Sequence, residues 1–174
     1  AGHRVVAAKL TGTACRKDPN FLYDAGALAV LDFTYTGWPS TADCSLPELL
    51  AITAEIRGAL AEYEPDFVIY EIADGVVQRE TAMMLSDASF RAQIDGVTFA
   101  GCDALSCEAG VRRLQGLGYT VLGTAGMVAN SPLGIAEVEA SCGVKCYDGA
   151  SILAGALLPA LTTVTKKTLL VAAT

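Results

Sequence analysis

Short apolar runs that each end on a polar residue constrain this chain more than any other feature. Lys9 closes Val5-Val6-Ala7-Ala8, Glu71 closes Phe67-Val68-Ile69-Tyr70, Asp103 follows Val97 to Cys102, and Asn130 follows Met127-Val128-Ala129. Runs of this kind, alternating with stretches of helical spacing, predict strands of a mostly parallel α/β sheet with helices on both faces. In such a sheet the carboxyl ends of the strands share one edge, where ligands bind, so the four polar residues converge on one candidate site.

The length of 174 residues suits a single α/β domain spanning 1–174, and no linker, low-complexity tract or internal repeat divides it. Twelve Lys+Arg against 19 Asp+Glu give a net charge of -7, which opposes phosphate-backbone attraction and argues against nucleic acid as a partner. Mean hydropathy is high, +0.42, as expected when strands are apolar on both sides. The longest uncharged stretch, Gly149 to Thr165, contains Pro159 and three threonines and is short for a membrane span, so no membrane association is expected.

The six cysteines, at 15, 44, 102, 107, 142 and 146, lack C-x-x-C spacing. Cys102/Cys107 with Cys142/Cys146 make a poor four-thiolate metal site, because zinc sites favour closer ligand pairs. Buried reduced thiols in a cytoplasmic protein fit the spacing better.

Along the chain, His3–Leu10 reads as a strand, Thr11–Asn20 as a polar loop and Leu28–Phe33 as a second strand. Ser45-Leu46-Pro47-Glu48 forms a capping box for a helix from Leu46 to about Tyr63. Phe67–Ile72 suits a central strand, and short helices follow at Gln78–Leu85 and Ala88–Ile94. Further strands are expected at Gly96–Cys102, Tyr119–Val128 and Val144–Tyr147. Helices are expected from the N-cap Asp103 to Leu117, over Leu133–Cys142, and from about Ala150.

Lys9 suits a phosphate or a developing negative charge, or is simply a solvated surface lysine. Glu71, directly after an apolar strand, must pair or coordinate to offset desolvation. A magnesium ion bridging phosphates would do so, as would an ion pair with Lys9 or Arg79. Asp74, Gln78, Arg79 and Glu80 form a charged cluster that would hold a substrate or merely cap a helix. Asn130 presents its amide to a nucleobase edge or makes an Asx-turn ahead of Pro132.

Three blocks, Ala1–Gly12, Phe67–Gly75 and Phe99–Ala104 continuing to Gly126–Pro132, resemble in order and spacing the dethiobiotin synthetase branch of P-loop nucleotide-binding proteins. Relatives of that branch include cobyrinate amidases and ParA/MinD-like ATPases. The resemblance implies that Lys9 and Thr11 contact the substrate and the transferring phosphoryl group. It further implies Asp24 and Glu71 as magnesium ligands and Asn130, beside Pro132, as the adenine site. It places Ala1-Gly2 just after a first helix, so that a strand, a phosphate loop and a helix would precede residue 1 and a central strand would be missing. No G-x-x-x-x-G-K-[ST] segment is present in the sequence.

The departures are Leu10 in place of proline, bulk and charge at Ile72-Ala73-Asp74-Gly75 in place of a glycine-rich run, and the unmatched stretch Asp32–Thr41. They remove the biotin precursor as the expected substrate. The expectation is therefore a Mg-ATP-dependent enzyme acting on a small carboxylate or carbamate, with this chain weak or inactive without the phosphate loop. The alternatives are a noncatalytic interaction module and a ParA-like nucleotide-controlled dimerisation switch. A homo-oligomer is expected, since a sheet lacking a central strand would expose apolar edges.

Overall fold

The computed structural model describes residues 2–164 and 168–173. In chain order the elements are β1 (Val5–Lys9), α1 (Lys17–Asp24), β2 (Ala29–Asp32), α2 (Leu46–Ala61), β3 (Phe67–Ile72), α3 (Arg79–Ser86), α4 (Ala88–Arg91) and β4 (Gly96–Ala100). These continue as α5 (Ala104–Gly116), β5 (Val121–Ala125), α6 (Pro132–Cys142), α7 (Gly149–Leu153), α8 (Leu158–Thr162) and β6 (Thr168–Ala173). The strands form one sheet in the order β2-β1-β3-β6-β4-β5, with every pairing parallel, and helices flank it.

Local chemistry explains several boundaries. Glu48 accepts hydrogen bonds from the Ser45 amide (2.7 Å) and hydroxyl (2.6 Å), and Pro47 sits in the first turn of α2. Leu49, Ile52, Ile56 and Leu60 then bury one stripe of α2 against Val6, Ala8, Tyr70 and Ile72. Asp103 caps α5 by accepting from the Ser106 amide at 2.7 Å.

The connections from β2 to β3, β3 to β4 and β4 to β5 all run one way along the sheet, while β1 to β2 and β5 to β6 run the other. Right-handed crossovers therefore put α2–α5 on one face and α1, α7 and α8 on the other.

Four expectations need correction. The loop assigned to Thr11–Asn20 holds the start of α1, a helix with no buried residue and therefore no apolar period to betray it. The strand expected to reach Val128 ends at Ala125, because Gly126 turns the chain at φ +98° into a 3₁₀ turn, Met127–Asn130. Val144–Tyr147 is not a strand but contributes one bridge, Cys146 to Thr124, along the outer side of β5. The helix expected from Ala150 breaks into α7 and α8, so no helix among the described residues is long and apolar enough to cross a membrane.

A fifth correction concerns the centre of the sheet. The expected gap is absent, because β6, unforeseen in the sequence, lies between β3 and β4 and pairs with both. The exposed central edges that motivated self-association are therefore absent from the described sheet.

Candidate functional site

β1 and β3 are neighbours, yet the chain leaves β1 toward β2 and leaves β3 in the opposite direction toward β4. Loops that part in this way open a crevice at the carboxyl ends of the two strands, the usual ligand position in an open α/β sheet. Lys9 and Glu71 are register partners at this point, and Asp32 of β2 is the partner of Lys9 on its other side. Partners in register project from the same face of the sheet, so an acid, a base and an acid stand in a row across three strands.

Lys9 is 5% exposed, which excludes the solvated-surface reading. Its Nζ makes an ion pair with Asp18 and donates to the Thr13 carbonyl at 3.3 Å. Glu71 is half-buried, and its carboxylate makes no hydrogen bond or ion pair among the described residues. Burial pushes its pKa up, the Lys9 ammonium opposes that shift, and Asp18 reinforces it. Neither ion pair expected for Glu71 forms, since Lys9 turns to Asp18 and Arg79 turns to Asp43 (3.6 Å) and Glu80 (3.3 Å).

Thr11 is buried beside the crevice and donates its hydroxyl to the Ala73 carbonyl at 3.2 Å. Gly12 follows at φ +111°, a conformation that a side chain would strain. A Cβ there would stand 3.3 Å from Lys9 Cε and 3.4 Å from Asp74 Oδ2, so Lys9, Gly12 and Asp74 meet at one point. Asp74 is exposed and is itself left-handed, at φ +68°.

The rest of the charged cluster is occupied structurally. Gln78 caps α3, accepting from the Thr81 amide at 3.1 Å, and its amide nitrogen bonds Glu80. Arg79 donates to the Cys44 carbonyl at 3.2 Å. Glu80, 3% exposed, accepts from the Asp43 amide at 2.9 Å. Burial alone would raise the pKa of Glu80, but its hydrogen bonds and Arg79 together hold it below the usual carboxylate range.

These contacts tie α3 to the loop after β2. That loop in turn bonds the loop after β1, through Thr41 Oγ1 accepting from the Gly12 amide (2.9 Å) and Pro39 O accepting from the Ala14 amide (3.1 Å). The stretch that matched nothing in the resemblance thus builds one wall of the crevice.

Asn130 and Pro132 lie exposed beyond β5, three strand spacings from Glu71, about 14 Å along the sheet. The Asn130 side chain makes no hydrogen bond among the described residues, so the Asx-turn does not form; Ser131 caps α6 instead, accepting from the Gly134 amide at 3.5 Å. Asp24 lies at the opposite edge. It ends α1, and four residues on, Leu28 donates to Val5 O at the start of β1. The two carboxylates that the resemblance groups around one magnesium ion are therefore not together, and Asp18 stands beside Lys9 instead. Sequence reasoning missed Asp18 because it lies inside the unrecognised α1.

No cluster of three or more His, Cys, Asp or Glu side chains suited to a metal ion occurs among the described residues. None of the six cysteines is in a disulfide: Cys44, Cys107 and Cys146 are buried, Cys142 is half-buried, and Cys15 and Cys102 are exposed, contrary to the expectation for those two. Compared with known proteins, the chain matches no family model, and no curated protein or solved structure shows significant similarity to it.

Proposed function

We propose that the crevice between β1 and β3 binds Mg-ATP, and that the protein couples phosphoryl transfer to activation of a small carboxylate or carbamate, in a P-loop-like three-layer fold. One observation carries this reading: Lys9 and Glu71 stand side by side at the divergence of two strands, and the Glu71 carboxylate makes no hydrogen bond or ion pair among the described residues. A half-buried carboxylate without a partner is stabilised by a cation, and magnesium is commonly held by one or two carboxylates together with substrate phosphates. Glu71 and Asp18 fit that role, and the ion would neutralise charge on the phosphates. Lys9, released from Asp18 as the ion takes its place, would face the developing charge. Thr11 and Gly12 fix the backbone beside it, and the wall built on Thr41 and Glu80 keeps that backbone from relaxing. Asn130 and Pro132 are far enough along the edge to meet the base of an extended nucleotide. Asp74 is the member of the charged cluster still available to a substrate.

Isothermal titration with ATP and magnesium tests the reading. Weak saturable binding is expected, reduced about tenfold or more in Glu71→Gln and in Lys9→Met, as for loss of a charge-assisted contact. Absence of binding by the wild-type chain, or binding indifferent to both substitutions, overturns it. ATP-independent association with a protein partner would instead favour the interaction-module alternative.

A further inference from the structure

A second cavity, of about 540 Å3, opens between the loop after β3 and the flank of α5. Its apolar walls are Val76, Val77, Phe99 and Ala109, and Asp74 and Arg113 are the charged residues in its lining. Its volume is that of a small-molecule site, and its walls are mostly apolar. The chain leaves Val77 75% exposed at the rim. The lip is shaped by two consecutive left-handed residues, Asp74 (φ +68°) and Gly75 (φ +74°).

The polar groups at the cavity decide which ligand suits it. Ser106 is committed to the α5 cap, donating to Asp103 O at 2.9 Å and accepting from the Asp103 amide at 3.1 Å. Asp74 places Oδ2 toward Gly12, on the crevice side. Arg113 is exposed, and its guanidinium makes no hydrogen bond or ion pair among the described residues, whereas its neighbour Arg112 is paired with Glu108 at 2.6 Å. The lining thus offers one cation, Arg113, without a partner among the described residues, while the one acid, Asp74, turns its Oδ2 to the crevice side.

We propose that this cavity binds a small amphipathic carboxylate, with its apolar chain against Val76, Val77 and Phe99 and its carboxylate on Arg113. The assignment stands on the cavity alone and does not depend on nucleotide binding in the crevice. Calorimetric titration of the full chain at neutral pH with octanoate, octanol and octylamine tests it. Octanoate should bind saturably at one site, octanol more weakly, and octylamine least. Arg113→Gln should weaken octanoate about tenfold while leaving octanol unchanged, the loss expected for one charge-assisted pair. Ala109→Leu, at an exposed position whose added bulk enters the trough, should reduce binding of both. No saturable octanoate binding, equal binding of octylamine, or octanoate binding untouched by Arg113→Gln would each overturn the proposal. Both substitutions are at solvent-exposed positions, and circular dichroism of each variant establishes that the fold is intact.

Discussion

Two glutamates on the same edge of the sheet are treated in opposite ways. Glu80, in the wall, is almost fully buried and saturated with partners: the Asp43 amide, Gln78 and Arg79. Glu71, at the crevice, is half-buried and has no hydrogen-bond or ion-pair partner among the described residues. Burial would raise both pKa values, yet Glu80 is held low and Glu71 is pushed up. A carboxylate whose environment is complete stabilises the fold, and one whose environment is incomplete is available for a ligand. The contrast separates scaffold from candidate site within a span of ten residues.

Breaking the saturated side should have the largest effect. Glu80→Ala leaves the Asp43 amide without its acceptor and takes from Arg79 one of its partners, at a cost of roughly 2 kcal/mol. Thermal denaturation at neutral pH should show this loss. Because the folded pKa of Glu80 is depressed, its contribution is present above the ordinary glutamate value of about 4.3 and fades as pH falls through the lower folded value. The deficit of the variant should therefore shrink in acid. A variant as stable as wild type at pH 7 would show that the wall does not depend on Glu80.

The joint between wall and crevice comes next. Gly12 bonds Thr41 on one side and faces Lys9 on the other, at φ +111°. Gly12→Ala should cost about 1 to 2 kcal/mol through backbone strain and should also weaken Mg-ATP binding, because the added methyl crowds Lys9 Cε. Loss of stability with unchanged binding would uncouple the wall from the crevice.

On the unsaturated side the sign reverses. The folded pKa of Glu71 is raised, so its ionised form is disfavoured in the native state, and the residue is least costly at low pH. Glu71→Gln, which cannot ionise, should be more stable than wild type at pH 7. The advantage should shrink as pH is lowered toward about 4. A gain in melting temperature accompanied by loss of Mg-ATP binding would mark Glu71 as a residue kept for function at the expense of stability. A destabilised variant would mean that Glu71 has a protein partner in solution.

How far these roles were legible depends on the range of the interactions. The carboxyl-edge positions of Lys9 and Glu71 could be read directly, because an apolar run ending in a charge is a local pattern, and β3 runs from Phe67 to Ile72 as expected. The capping chemistry at Ser45 and Asp103 was likewise visible in a few adjacent residues. The pairing of Lys9 with Asp18 was not, since α1 buries nothing and carries no apolar period. The consumption of Arg79 was also hidden, because its partners Asp43 and Cys44 lie more than thirty residues away and meet it only in the fold. β6 went unseen for a further reason: its place between β3 and β4 is set by sheet topology, which a short apolar run near the end of a chain does not specify.

The contrast between complete and incomplete environments has a third, purely structural case on the face covered by α2–α5. Tyr70 is fully buried in β3, and its hydroxyl has no hydrogen-bond partner among the described residues. Burial pushes its pKa to about 12, opposed by the Arg57 guanidinium. Unlike Glu71, it faces packed side chains instead of a crevice, so no ligand can complete it. Tyr70→Phe removes the stranded hydroxyl and retains the ring, and it should stabilise the protein by a few tenths to about 1 kcal/mol. That gain corresponds to a melting temperature higher by about 2 °C for a domain of this size. Because the substitution lies on the face away from the Lys9–Glu71 row, Mg-ATP binding should be unchanged, and octanoate binding should be unchanged because Tyr70 does not line that cavity. A lower melting temperature would show that the hydroxyl finds a partner in solution, and the rule that separates Glu71 from Glu80 would then not extend to uncharged groups.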